Sequence, residues 1–187
     1  MSFKTLKNQA KMSFQKNRTT AILIILIQIA VFSVATPTAV GLLLLLPLNV
    51  GIAYAFIRMG QNHPGNLGDL ITSLQSDYFN HVIQLGLKML YLFLWALLLI
   101  VPAIIKTYSY FLTEYILAEN PDEKDAITLS RQMMNGHKFQ LFLLQLSFIG
   151  WFILSALTFG ILYVLYVGPY YHQTMAEFYL AVKNETK

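Results

Sequence analysis

From Thr19 to Ile57 the chain carries no Asp, Glu, Lys or Arg, and the same holds from Phe139 to Ala176. These windows are 39 and 38 residues long. A helix that crosses a bilayer takes about 20 residues, so each window holds two crossings. A water-soluble core has no reason to withhold charge over stretches of that length. The pattern predicts an all-α, polytopic transmembrane helical bundle of about six spans, with amphipathic interfacial helices between them.

The first pair of spans covers about 19–36 and 38–58. Thr36-Pro37-Thr38 supplies the turn, because proline disfavours a helical conformation in the residue before it. Pro47 lies inside the second span and predicts a kink packed on a neighbour, which must satisfy the freed carbonyl. A third span, about 82–101, has Lys88 near its start and Trp95 inside, and Pro102 ends or bends it. Residues 103–117 are apolar and aromatic but include Lys106 and Glu114. They read either as a fourth span or as a continuation of the third in one long kinked helix. The last two spans, about 138–157 and 161–181, meet at Phe159-Gly160, with Pro169 inside the second.

Amphipathic segments precede the pairs. In residues 1–18, Phe3, Leu6, Ala10 and Phe14 recur at helical spacing while Lys4, Lys7 and Lys11 fall opposite. This predicts a helix lying on the membrane, with its lysines against anionic lipid. A basic stretch, the apolar run Ala21 to Ile29 and Ser33-Val34-Ala35 also have the layout of a signal peptide. The length of the basic stretch and the immediate return of apolar residues favour the surface helix. Leu67, Leu70, Ile71, Leu74 and Tyr78 form a second apolar face within the polar break 60–80. Asn120-Pro121-Asp122-Glu123 has the chemistry of a helix start, with an N-cap, proline in the first turn and acids against the dipole. The helix it opens presents Ala126, Ile127, Met133 and Met134, and ends at Gly136.

Basic residues decide the doubtful segment. With six spans and both termini cytoplasmic, 12 of the 13 Lys and Arg residues fall on or near the cytoplasmic side, leaving Lys106 outside. With five, Lys124, Arg131 and Lys138 would move outside together with the C-terminal lysines. Six is the prediction, in a bacterial cytoplasmic (inner) membrane, with external loops only a few residues long.

The chain also resembles itself. Residues 69–101 align with 125–157 without gaps and share ten identities, four of them leucines, three of which, beyond Leu85 with Leu141, this composition supplies by chance. The rest include Asp69 with Asp125, His81 with His137, Gln84 with Gln140 and Trp95 with Trp151. The reading is a single integral membrane domain of three parallel units, 1–60, 61–118 and 119–187. Each has a surface helix, an outward span and an inward span marked by Pro47, Pro102 or Pro169.

Composition narrows the chemistry. At 12% charged residues the chain has roughly half the usual solubilising charge. Cysteine is absent, which excludes disulfides, thiolate metal sites and thiol nucleophiles. The net charge of +4 flanks apolar spans, so the expected partners are membrane lipids, with other membrane proteins or a second copy as further ones, and not nucleic acid. No nucleotide-binding loop, zinc-protease motif, nucleophile elbow or catalytic carboxylate pair is present. The sequence gives no positive support to an enzyme, a cofactor or a metal.

Lys106, Tyr110 and Glu114 recur every four residues and form an intramembrane polar stripe. It reads as a path facing the bundle interior, or as two side chains snorkelling to opposite surfaces, with an ion pair as a variant. Arg131, His137, Lys138 and Trp151 make a candidate interfacial or partner face. His81 and His137 occupy equivalent junctions between surface helix and span, without a carboxylate at a spacing that completes a metal site. His172 and Glu177 stand isolated near the end of the last span. The tyrosines from Tyr108 to Tyr179 are assigned to anchoring and packing.

The second half carries a family likeness. Ser130-Arg131-Gln132-Met133-Met134-Asn135-Gly136-His137-Lys138 is followed by Leu146-Ser147-Phe148-Ile149-Gly150-Trp151, then Leu157-Thr158-Phe159-Gly160-Ile161. Pro169-Tyr170, Glu177-Phe178-Tyr179 and, upstream, Lys106-Thr107-Tyr108-Ser109-Tyr110 complete it. This resembles the bacterial integral membrane family called domain of unknown function nine-seven-five, itself similar to membrane domains fused to some glycerophosphodiester phosphodiesterases. Ala103 departs from the glycine expected after the proline. The resemblance implies a helical multi-pass protein and brings no activity, substrate or site residue. The leading expectation is a non-enzymatic scaffold or accessory module acting through lipids or other membrane proteins, in envelope stress or resistance to membrane-active peptides. A small transporter or permease component is the alternative, and an enzyme acting on lipid headgroups a third class.

Overall fold

A computed structural model describes residues 3–35, 39–75, 77–98 and 100–185. Thr36-Pro37-Thr38 lies outside them, as does the side chain of Leu74. The described residues form helices without strands. In chain order these are α1 (Phe3–Lys16), α2 (Arg18–Ala35), α3 (Ala39–Gly60), α4 (Gly68–Gln75), α5 (Tyr78–Leu98), α6 (Ile100–Ser109), α7 (Thr113–Glu119), α8 (Ala126–Met133), α9 (Lys138–Leu146), α10 (Ile149–Leu157) and α11 (Gly168–Glu185). A π-helical turn, Tyr163–Val167, leads into α11.

The middle of the bundle is α3. Leu46, Leu48, Val50, Ile52, Ala53, Phe56, Ile57 and Met59 are all buried, so its described second half is covered on every side. A helix apolar all round has to sit inside its fold. Around it pack α1, α2, α4, α5, α7 and α11. Pro47 is accommodated within α3.

The N-terminal helix departs from expectation. Leu6, Ala10 and Phe14 are buried, and α1 packs along α11. Its apolar face is therefore closed by protein and not by lipid headgroups, while Lys4, Lys11 and Lys16 remain exposed. The α1–α2 corner bends by 92° at Asn17. The Asn17 side chain holds that corner, donating to the Ser13 carbonyl and accepting from the Gly65 backbone N–H at 2.8 Å. A Cβ at Gly65 would fall 2.8 Å from Met59 Cε and 3.0 Å from Thr20 Cβ, so glycine permits this approach.

The segment of uncertain direction folds back. Lys106 Nζ lies 4.7 Å from the Trp95 ring, the Tyr91 and Tyr110 rings are 6.4 Å apart, and Lys88 meets Glu114 at 3.1 Å. In one continuous helix Lys88 and Glu114 would stand about 39 Å apart. Residues 100–119 are thus a returning arm against α5, interrupted between α6 and α7, and not an extension of it.

Two further expectations are corrected. Asn120 does not open a helix: its backbone N–H donates to the Ile116 carbonyl at 2.8 Å and closes α7, and α8 begins six residues later at Ala126. The N-cap pattern failed because the same Asn-Pro pair also suits a helix exit. Asn80 instead holds this turn, donating to the Pro121 and Glu123 carbonyls, and Gln84 donates to that of Lys124. In the second surface helix Leu70 is buried, but Ile71 is mostly exposed and Leu67 partly so.

The last hairpin turns where the sequence placed it. Phe159 and Gly160 both have positive φ, 51° and 81°. The π-helical turn then precedes Pro169, whose missing N–H interrupts the ordinary ladder. Gly168 permits it, since a Cβ there would lie 2.9 Å from the Tyr163 carbonyl oxygen. Among the described residues, one unbent stretch is long and apolar enough to cross a bilayer: α9 and α10 taken together, Lys138–Leu157, with 20 residues and mean hydropathy 1.8.

Candidate functional site

Polar chemistry gathers on the α5 arm and its returning partner. Lys106, Tyr110 and Glu114 all face α5 despite the break at residues 110–112, meeting Trp95, Tyr91 and Lys88 in turn. They do not form one continuous path. Lys106 and Glu114 belong to different cavities, and the buried Tyr110 lines the one that holds Lys106.

The inner cavity, about 130 Å³, lies among α3, α5, α7 and α11. Lys88 and Glu114 form an ion pair in its wall, with side chains 14% and 32% exposed. Asn49, Tyr115, Tyr171 and His172 complete the polar lining. His172 is not isolated: its ring stacks on Phe56 at 5.4 Å and 17°.

The outer cavity is larger, about 490 Å³, and is lined by α5, the α6 arm and α8, including Gln84, Trp95, Lys106, Lys124, Asp125 and Arg131. It adjoins a cleft of about 350 Å³ that shares Lys106, Thr128 and Arg131 and adds Lys138. Ser130 of α8 donates to the Ser109 carbonyl at 2.9 Å and ties the two walls together. The sequence reading left Lys106 as a lone outer cation. Here it shares a cleft with Arg131 and Lys138, so the three cations lie on the same side of the fold and the placement of Lys106 opposite them is corrected.

The candidate interfacial face therefore divides. Arg131 and Lys138 join Lys106, while His137 turns toward the Gln140 side chain at 3.1 Å and Glu185 at 3.7 Å. Trp151 packs on Tyr166 at 5.5 Å, away from this cleft. His81 and His137 differ in setting, the first fully buried and the second partly so. Among the described residues no cluster of three metal-ligating side chains occurs.

Two polar ties escaped the sequence. Glu177 accepts from Ser13 Oγ at 3.1 Å and from Gln173 Nε2 at 3.3 Å, and Gln173 also donates to the Phe56 carbonyl, so α1, α3 and α11 meet at one buried carboxylate. Glu119 accepts from Gln61, Tyr179 and Lys183 and binds α7 to the ends of α3 and α11. Only Gln173 is local, four residues before Glu177; the other partners lie 58 to 164 residues away and leave no spacing signal.

Outside the bundle the α5 arm also carries exposed Leu90, Phe93, Leu94 and Leu97, and α10 exposes Ile153 and Leu157. The fold and its polar groups define an all-helical protein with its polar ties inside and broad apolar faces outside. Residues 1–186 match the family model described as a protein of unknown function (DUF975), and the chain belongs to that family. No curated protein and no solved structure matches it.

Proposed function

We propose that this chain is an integral protein of the bacterial cytoplasmic membrane, crossing it six times with both ends inside. It acts as a non-enzymatic scaffold or accessory module through lipids or partner membrane proteins. The observation that carries this reading is the outward apolar surface of α2, α5 and α10, where Leu26, Phe32, Phe93, Leu97, Ile153 and Leu157 are exposed. Water-soluble monomers rarely leave apolar patches of that extent uncovered, whereas in a bilayer such a surface is ordinary lipid contact. The fold-back of residues 100–119 supports an even number of crossings, and the cationic surface of α1 suits an anionic inner leaflet. Affinity purification from native membranes tests the scaffold role. A reproducible set of co-purifying membrane proteins or lipids is the expected result, and a lone monomer stripped of both would contradict it.

A transport role is the second reading, favoured by the Lys88–Glu114 pair and His172 around an internal cavity. Ionisable groups inside a helical bundle mark substrate or proton paths in many membrane proteins. Liposomes holding the protein would then pass a solute or protons faster than empty ones, and Lys88→Ala and Glu114→Ala would abolish the difference. Equal flux across a broad solute panel would end this reading.

A further inference from the structure

Lys106 of α6, Arg131 of α8 and Lys138 of α9 line one cleft together with Thr128, Gln132 and Asn135. Among the described residues no carboxylate lies within ion-pair distance of any of the three cations. Arg131 and Lys138 both repel the Lys106 ammonium. Asp125 lines the adjoining outer cavity with Lys106 and Arg131 but forms no ion pair with them. Like charges from three separate helices thus meet without a paired acid, and an anion held between them offsets their repulsion.

The helices that supply the cations also expose apolar side chains. Ile104 and Ile105 are exposed on α6, and Phe139 is exposed on α9 next to Lys138. On the membrane reading above, these apolar side chains face lipid on the same helices that carry Lys106 and Lys138, so an anionic lipid is the anion at hand. We propose that this cleft binds the phosphoryl headgroup of an anionic phospholipid. Arg131 supplies a planar fork suited to two phosphoryl oxygens, and the two lysines supply compact charges. Thr128 and Asn135 line the same cleft and are available to headgroup hydroxyls. This assignment rests on the membrane reading above, and it names the lipid class through which that reading operates.

Trp95 lies against Lys106 and is a local reporter. The full chain carrying Trp151→Phe, in a neutral detergent, is titrated with phosphatidylglycerol, phosphatidylcholine and inorganic phosphate while Trp95 emission is followed. Phosphatidylglycerol is expected to give a saturable change at a concentration about tenfold or more below either other probe. Arg131→Gln with Lys138→Gln is expected to weaken it about tenfold or more, and Arg131→Lys with Lys138→Arg to keep most of it. If the glutamine variant loses helicity, the charge-conserving variant carries the test. Equal response to the two lipids, inorganic phosphate matching phosphatidylglycerol, or loss of the response in the charge-conserving variant while it keeps its helicity would overturn the proposal. Carbonate washing of reconstituted vesicles separates the two claims. Release of the chain defeats the membrane reading, whereas retention with no lipid preference defeats the headgroup site alone.

Discussion

Lys88 Nζ lies 3.1 Å from a Glu114 carboxylate oxygen and joins α5 to α7 across the wall of the inner cavity. One turn along the hairpin Tyr91 meets Tyr110, and one further Trp95 meets Lys106. These three contacts set the register of the returning arm and place a charged pair at its base and a cation at its other end.

Breaking that pair leaves a charge partly enclosed with no counter-ion. Lys88→Ala or Glu114→Ala is expected to lower stability by about 1–3 kcal/mol, and Lys88→Met combined with Glu114→Leu to recover most of the loss. Thermal unfolding of the purified protein in detergent checks this. Single variants as stable as the parent would show that the contact contributes nothing.

Glu177 is the meeting point of α1, α3 and α11. Glu177→Gln keeps an acceptor for the Ser13 hydroxyl, whereas Glu177→Ala removes it and leaves Ser13 without one in a buried site. The alanine variant is expected to lose about 1–3 kcal/mol more than the glutamine variant. Limited proteolysis provides the matching local readout, because α1 should be cut first in Glu177→Ala. Equal protection of α1 in both variants would contradict the role.

The turn after α7 carries a pH dependence. The hydrogen bond that the protonated Asp122 carboxyl donates to Asp77, and the negative charge there, raise Asp122 above its ordinary value of 3.8. The folded state therefore holds this proton more tightly than the unfolded chain does. The stabilisation is complete at low pH and is lost as pH rises through the raised value. Unfolding midpoints of the parent are expected to fall, relative to those of Asp122→Asn, as pH rises above the ordinary carboxylate value, because the introduced amide donates to Asp77 without titrating. Parallel profiles for the two proteins would exclude the Asp77–Asp122 contact.

Long-range charge patterning made the helical class legible in the sequence, because 39 residues without a formal charge predict long apolar helices. Glycines at turns were equally readable: Gly136 and Gly160 both have the positive φ expected of them. What failed were the features with two solutions of equal local chemistry. Asn120-Pro121 suits a helix exit as well as an entry, and the amphipathic face of α1 suits α11 as well as lipid. The polar site was half visible. Spacing of four put Lys106, Tyr110 and Glu114 on one face, but it could not supply Lys88 or Trp95, whose places depend on where the hairpin reverses. Nor could it bring Lys106 to Arg131 and Lys138, since that needs α8 to pack between two arms.

The central claim, a six-crossing membrane protein with its surface helices inside, is tested most directly at residue 122. The chain has no cysteine, so Asp122→Cys introduces one thiol on an exposed turn. A membrane-impermeant maleimide applied to intact cells is expected to leave it unlabelled and to label it fully once the cells are opened. Labelling of residue 122 from outside intact cells would contradict the topology.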